Sequence, residues 1–520
     1  MNPLRVDLGT LIDEGANVHG DRPLLSFQDG TTFTYERFAE LVARARGLLA
    51  TRGVGPGGRV ALMFKNSLFY PTAWLGVTTL GAVAVPVNSR LGPDDAGYVV
   101  RHSGAELLIC DSSTAPVART VAEGRLPVLE VEPEAHEPDV LRSAEARGRE
   151  HTTVDTLANV QYTSGTTGFP KGCLLTHGYW QRMGAVAAGV FGLRSEDRIL
   201  TAQPFSYIDP LWNVVSALQV GAHLVVGDGF HPTTFMSTVA DWKVTVFYCL
   251  GVMPSLLMKQ QERAFEQDLA LRRVICSAIP PPLHADIERR WGAPWIEAFG
   301  MTETGINTAV PDEDHDALVG SGSIGRALPH CRASVVDEEG TEVRPGEVGE
   351  LRLQGEGLMD GYLDDPEATA AFFRDGWAHT GDLVEVDDRG FLFYRGRRKE
   401  MIRRGGENVS QAEVEYALRT HQDVLDCAVA PVPDDALGEE AKAYVVLLPG
   451  RPPDPSSLRD FLAGKLASFK VPRYWEFRDD LPRTPSERIA KARLEPGGDW
   501  RAATYDARDG TWLDKGRELP

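Results

Sequence analysis

From residue 35 the apolar positions Phe38, Leu41, Val42, Ala45, Leu48 and Leu49 recur at helical spacing, and the glycine-rich turn RGVGPGG then stops the helix. The runs RVALMF, AVAVPV, AELLICD, HLVVGD, VTVFYC and RRVICS are short, rich in β-branched residues and separated by helix-length segments. That alternation predicts mostly parallel sheets with helices on their faces, so the chain up to about residue 320 reads as doubly wound. Beyond it the texture changes. The stretch GSIGRALPHCRASVVDEEGTEVRPGEVGELRLQGEGLMDGYL alternates apolar and polar positions among many glycines, which predicts a small β-barrel over about 320–395. After the basic run YRGRRKEMIRRGGEN (394–408), Ser410 and Glu413 read as a capping box for a helix carrying Val414, Ala417 and Leu418. Two strands, CAVAPV and AKAYVVLL, and a helix around SSLRDFLAGKLASF complete a compact α+β unit. The expected fold class is α/β: a large N-terminal domain (1–398) of doubly wound sheets plus the barrel, then a small α+β C-terminal domain (399–520). The tail after Leu494 shows no pattern.

Composition adds exclusions. With 42% hydrophobic and 25% charged residues, the 520-residue chain can bury a large core without staples. A formal charge of −20 makes its surface repel polyanions, which argues against nucleic-acid partners. The six cysteines stand far apart, mostly in apolar runs, and read as reduced, buried thiols of a cytoplasmic protein. No secretion signal opens the chain, and its most apolar segment, AWLGVTTLGAVAVPV, is too short for a membrane span.

The stretch YTSGTTGFPKG (162–172) follows the strand candidate ANVQ. Its glycines, Gly165 and Gly168 among them, let backbone N–H groups approach a phosphate. The hydroxyls of Thr163, Ser164, Thr166 and Thr167 can donate to phosphate oxygens, and Lys171 adds positive charge. The spacing is not GxxxxGK[ST], so it does not suggest a P-loop NTPase.

With this loop, AFGMTETG (298–305), HTGDL and YRGRRKE in order, the chain resembles the adenylate-forming superfamily of acyl-CoA synthetases, luciferases and peptide-synthetase adenylation domains, over about residues 20–494. RRGGENVSQAEVE and TPSER are most similar to the crotonobetaine/carnitine-type CoA ligases. The resemblance implies ATP or acyl-AMP, Mg²⁺ and coenzyme A as cofactors. It makes Thr302 a phosphate contact, Glu303 the metal carboxylate, and Ala298, Phe299, Gly300 and Met301 part of the nucleotide site. It also implies that Asp382 takes the ribose hydroxyls beside Tyr394 and Arg397, that Lys399 is the hinge of a mobile C-terminal domain, and that Arg404, Gly405, Gly406 and Glu407 form the CoA loop. The acyl pocket falls on Phe205, Tyr207, Ile208, Trp212, Ala278, Ile279 and Gly300, a mostly apolar set suited to a bulky or medium-length acid.

Family members join a carboxylate to ATP, then let a thiol displace AMP. The first step relies on a lysine in a Pro-Thr/Ser-Gly-Lys run; aligned on Leu481 and Pro482, this chain carries Ser486, Glu487 and Arg488 there. A guanidinium is planar and broader than an ammonium, and a displacement of about 1 Å can cost on the order of a hundredfold in rate. Glu487 places a negative charge beside a group that must attract two anions. Adenylation is therefore expected to be impaired, leaving an acyl-CoA ligase that mainly converts acyl-AMP supplied by a separate adenylating enzyme. A fully competent ligase in which Arg488 or Lys491 acts, and a free-standing enzyme loading a carrier protein, stay open at this point.

Overall fold

The computed structural model describes residues 6–132, 138–163, 170–405, 407–434, 437–483, 489–494 and 500–513. Ser164, Gly165, Thr166, Thr167, Gly168, Gly406 and Arg488 lie outside the described residues. Two compact units divide the chain: Met1–Val319 with Ile324–Arg332 and Leu353–Ala378, and Gly320–Ser323 with Ala333–Arg352 and His379–Pro520.

All six apolar runs are strands. In the first unit one sheet orders Val128–Val131, Leu107–Asp111, Arg59–Met63, Val83–Pro86 and Leu157–Thr163 in parallel, with Lys171–Thr176 antiparallel at the edge. The other sheet runs parallel through Pro23–Phe27, His223–Val226, Arg198–Thr201, Val246–Leu250, Arg273–Ser277 and Trp295–Met301. Helices join them: Phe69–Thr79 packs on the first sheet and Ile208–Val220 on the second, with Leu8–His19 touching both helices. Every residue of Phe69–Thr79 is buried, which explains its lack of a polar face. Helix Tyr35–Thr51 buries Phe38, Leu41, Val42, Ala45, Leu48 and Leu49, as its spacing requires.

A polar pin fixes this core. Asn159 Oδ1, on strand Leu157–Thr163, accepts from Trp74 Nε1 at 2.8 Å and Trp180 Nε1 at 3.1 Å. Two helices and the strand are thereby tied at one buried point, each indole satisfied as burial demands.

In the second unit, Val424–Asp434 pairs antiparallel with Gly438–Leu447, and Tyr474–Phe477 runs parallel beside the latter. Helices Gln411–Arg419 and Pro455–Ala463 supply Val414, Leu418, Leu458 and Leu462 to a core with Val429, Val445 and Trp475. Two expectations need amending. Ser410 does cap its helix, accepting from the Glu413 N–H at 3.3 Å, but the Glu413 carboxylate pairs with Lys470 Nζ at 2.7 Å. The helix predicted around SSLRDFLAGKLASF ends at Ala463, followed by Gly464. The tail has structure as well: Tyr505–Asp506 and Thr511–Trp512 extend the sheet, and Trp500 lies against Tyr474 with ring centroids 4.7 Å apart.

All six cysteines are free and buried. Among the described residues no helix is long and apolar enough to cross a membrane.

Candidate active site

Strands Leu157–Thr163 and Lys171–Thr176 pair antiparallel with Thr163 opposite Lys171, so these two residues flank the glycine- and hydroxyl-rich segment in the sequence. Lys171, 35% exposed, lies 3.8 Å from Asp365 Oδ2 and 5.0 Å above the Tyr362 ring. The Tyr362 hydroxyl donates to Glu303 Oε1 at 3.0 Å, and Glu303 is 7% exposed. Nearby, the Tyr179 hydroxyl donates to the Thr302 carbonyl at 2.9 Å, and the Met359 N–H to that of Glu303 at 2.9 Å. The structure thus brings Lys171, Thr302 and Glu303 into one connected group, through tyrosines that sequence reasoning missed. A buried carboxylate has hard oxygen donors of the kind Mg²⁺ takes, so Glu303 fits that cation.

The strand Trp295–Met301 carries Ala298, Phe299, Gly300 and Met301. It turns back on Gly305–Ala309 with a register shift between Phe299 and Gly300. A Cβ at Gly300 would collide with the Gly305 carbonyl, so the hairpin itself demands glycine there.

Beside this strand, Ala278 adopts φ +73°, a left-handed conformation unusual for a residue with a side chain. Glu297 holds it: one carboxylate oxygen accepts from the Ala278 N–H at 2.6 Å and the other from the Ile279 N–H at 2.7 Å. Burial pushes the Glu297 carboxyl up to about 8, against the lowering pull of those two N–H groups. Ser277 Oγ donates to the Ala298 carbonyl at 2.6 Å and lies 2.9 Å from the Tyr248 hydroxyl, and the Tyr248 ring meets Trp212 edge-on at 5.7 Å. Tyr207 accepts from Asn88 Nδ2 at 2.6 Å, while Ile208 and Ile279 are buried. Phe205 is wholly buried and stacked on Tyr70, so it supports the segment from behind. Trp212 is thus linked through Tyr248 and Ser277 to Ala298, and Tyr248, Ser277 and Glu297 are residues that no local motif marks.

In the second unit, strands Trp377–Val386 and Leu392–Arg397 place Asp382 opposite Arg397. Asp382 is 1% exposed, and its Oδ1 accepts from Arg397 Nε at 3.0 Å and from the Tyr394 hydroxyl at 3.4 Å. Lys399 sits in the short turn Arg398–Glu400 between Leu392–Arg397 and Met401–Arg404. Gly405, φ +57°, follows Arg404, which faces Glu407 across the hairpin of Met401–Arg404 and Glu407–Ser410. Arg404 reaches buried Glu440 at 2.7 Å and the Phe469 carbonyl at 2.6 Å, whereas Arg403 is exposed. Lys491 Nζ lies 2.8 Å from both Gln411 Oε1 and Glu415 Oε1.

Residues 12–363 match the AMP-binding enzyme family and residues 413–488 match the AMP-binding enzyme C-terminal domain. Feruloyl-CoA synthase of an Amycolatopsis species is 34% identical over 475 residues, 89% of this chain and 94% of that protein. Crotonobetaine/carnitine–CoA ligase of Salmonella arizonae is 31% identical over 511 residues, 93% of this chain and 98% of that protein. The o-succinylbenzoate CoA synthetase of Bacillus subtilis, solved with its acyl-adenylate intermediate, superposes with a TM-score of 0.85 at 27% identity, covering 95% of this chain and 98% of that one.

Proposed function

The chain belongs to the AMP-binding enzyme family and is an acid–thiol ligase of the AMP-forming type, and we propose that it works chiefly on the second half of that reaction. In this reading the substrate is an acyl-AMP of a bulky or medium-length apolar acid, delivered by a separate adenylating enzyme in the cytoplasm. The thiol sulfur of coenzyme A bonds to the acyl carbon, the acyl–phosphate oxygen bond breaks, AMP leaves and the thiol proton passes to solvent.

Named residues have distinct parts. Lys171, Thr302 and the segment Thr163, Ser164, Gly165, Thr166, Thr167 and Gly168 neutralise and orient the phosphate. Asp382, held by Arg397 and Tyr394, receives the ribose hydroxyls through a carboxylate suited to two donors. Glu303 would hold Mg²⁺, which supplies charge neutralisation at the phosphate. The turn Arg398–Glu400 with Lys399 is the hinge, and Gly405, Gly406 and Glu407 meet the thiol substrate. Because Arg404 is bound to Glu440 and Phe469, exposed Arg403 is the better partner for the phosphates of coenzyme A.

The observation that carries the reading is the pair Glu487–Arg488 in place of glycine and lysine. The nearest lysine, Lys491, is engaged by Gln411 and Glu415, so recruiting it means breaking two short contacts. An ATP–pyrophosphate exchange assay beside AMP release from a synthetic acyl-AMP and coenzyme A tests this. Weak exchange that rises in Arg488→Lys, with AMP release intact in the wild type, is the expected result. Full exchange in the wild type overturns it, and a preference for a holo-carrier over coenzyme A would reassign the thiol.

A further inference from the structure

One cluster of the first unit takes no part in the adenylate chemistry. His284 and Glu288 stand four residues apart on helix Pro281–Trp291, so their side chains share one face. His315 opens the short helix His315–Leu318. Its Nε2 lies 2.8 Å from Glu288 Oε1, and His284 Nε2 lies 3.3 Å from the same oxygen. All three ligand atoms fall within 4.8 Å of one another. Both histidines are buried, while the Glu288 side chain remains 20% exposed and offers a way in. The segment carrying His315 is anchored independently of the cluster, by Arg273 to Asp312 at 2.7 Å and Arg326 to Asp314 at 2.6 Å.

We propose that His284, Glu288 and His315 form a zinc site with a fourth position left for water. Two imidazole nitrogens and one carboxylate oxygen make the borderline donor set that Zn²⁺ prefers, whereas Mg²⁺ and Ca²⁺ favour oxygen alone. Donors about 2.0–2.1 Å from a tetrahedral ion lie about 3.3 Å apart, close to the 2.8 and 3.3 Å that separate the two histidine Nε2 atoms from Glu288 Oε1. In the structure as it stands the polar atoms satisfy one another: Glu288 Oε1 accepts from the Trp295 N–H at 2.6 Å, and His284 Nε2 lies 2.9 Å from the Trp295 carbonyl. Binding takes the Nε2 lone pair of each ring, leaving its proton on Nδ1. The Trp295 carbonyl gives up the His284 ring, and the Trp295 N–H stays on Glu288 as an outer support. The cation thereby braces helix Pro281–Trp291 against the start of strand Trp295–Met301, and it is chemically distinct from the Mg²⁺ proposed at Glu303.

The test begins with chelator-treated full-length protein titrated with Co²⁺, a spectroscopic stand-in for zinc. The expected result is uptake of about one cation per chain, visible d–d absorption of a tetrahedral ion, no thiolate-to-cobalt charge-transfer band, and bleaching by added Zn²⁺. His315→Ala and Glu288→Gln, checked for folding by circular dichroism, should each weaken uptake by at least about tenfold. Absence of d–d absorption in the wild type overturns the proposal. So does a thiolate charge-transfer band, which would hand the metal to the cysteines, or unchanged uptake in a folded His315→Ala variant. Should the variants fail to fold, the wild-type spectrum alone decides.

Discussion

The Tyr362 hydroxyl donates to Glu303 across 59 residues of sequence, while the face of the same ring lies under the Lys171 ammonium. One aromatic side chain therefore contacts both the buried Glu303 carboxylate and the Lys171 ammonium, the two groups proposed to act at the phosphate. Replacing Tyr362 by Phe removes a hydrogen bond to a charged acceptor, worth about 1.5–3 kcal/mol, and should weaken Mg²⁺–ATP binding by about 10- to 100-fold. Tyr362→Leu also loses the cation–π contact, about 0.5–1 kcal/mol at a partly exposed site, and should bind more weakly still. Equilibrium titration of both variants at fixed Mg²⁺ measures this; equal affinity of Tyr362→Phe and wild type would show that Glu303 needs no such orientation.

Glu297 supports a left-handed Ala278 by accepting two consecutive backbone N–H groups. In Glu297→Gln one acceptor becomes an NH₂ that faces an N–H donor, and the turn at Ala278–Ile279, in the proposed acyl pocket, should loosen. Leaving one buried donor unpaired costs about 1–3 kcal/mol. The KM for the acyl substrate should rise several-fold more than kcat falls, in steady-state assays of AMP release. A fall in kcat alone would place Glu297 elsewhere in the mechanism.

The same residue has a pH signature. Its folded-state pKa is raised to about 8 from 4.5, so between those values the folded chain holds a proton that the unfolded chain has lost. Its contribution to stability is therefore undiminished below about pH 4.5 and declines as pH rises towards 8. Thermal melts from pH 5 to 8 should show a smaller decline in Glu297→Gln than in the wild type.

His177 acts in the opposite direction. It is wholly buried, its Nδ1 accepts the Leu8 N–H at 3.2 Å, and burial holds its pKa down to about 4 from 6.5. The unfolded chain takes up a proton first on acidification, so stability falls as pH drops from 6.5 towards 4, by about 3 kcal/mol at the limit. His177→Gln should flatten the acid limb of the melting-temperature profile, and an unchanged limb would refute the assignment.

Arg403 and Arg404 should separate function from stability. Arg404→Ala strands buried Glu440, whose carboxyl burial already pushes upward, and should cost about 3–5 kcal/mol in denaturant unfolding. Arg403→Ala should leave stability within about 0.5 kcal/mol and raise the KM for coenzyme A several-fold. The reverse pattern would return Arg404 to the phosphate-binding role.

The chain's own residue pattern determined the apolar strands, the helix Tyr35–Thr51 and the order of the family motifs. RVALMF or RRVICS becomes a buried strand because β-branched, apolar neighbours specify it over a few residues, and the stretch from Thr163 to Lys171 is marked by its glycines and hydroxyls. Tertiary structure alone decided which distant groups met. Tyr362 reaches Glu303, Glu297 reaches Ala278, and the unpatterned tail sets Trp500 on Tyr474, although no spacing in the sequence links the members of these pairs. The same level decided that Glu413 would pair with Lys470 instead of closing its capping box, and that Arg404 would bind Glu440. Local patterns are settled by propensity and periodicity within one element, whereas these contacts depend on sheet order, register and burial, which bring side chains together only after the elements have packed.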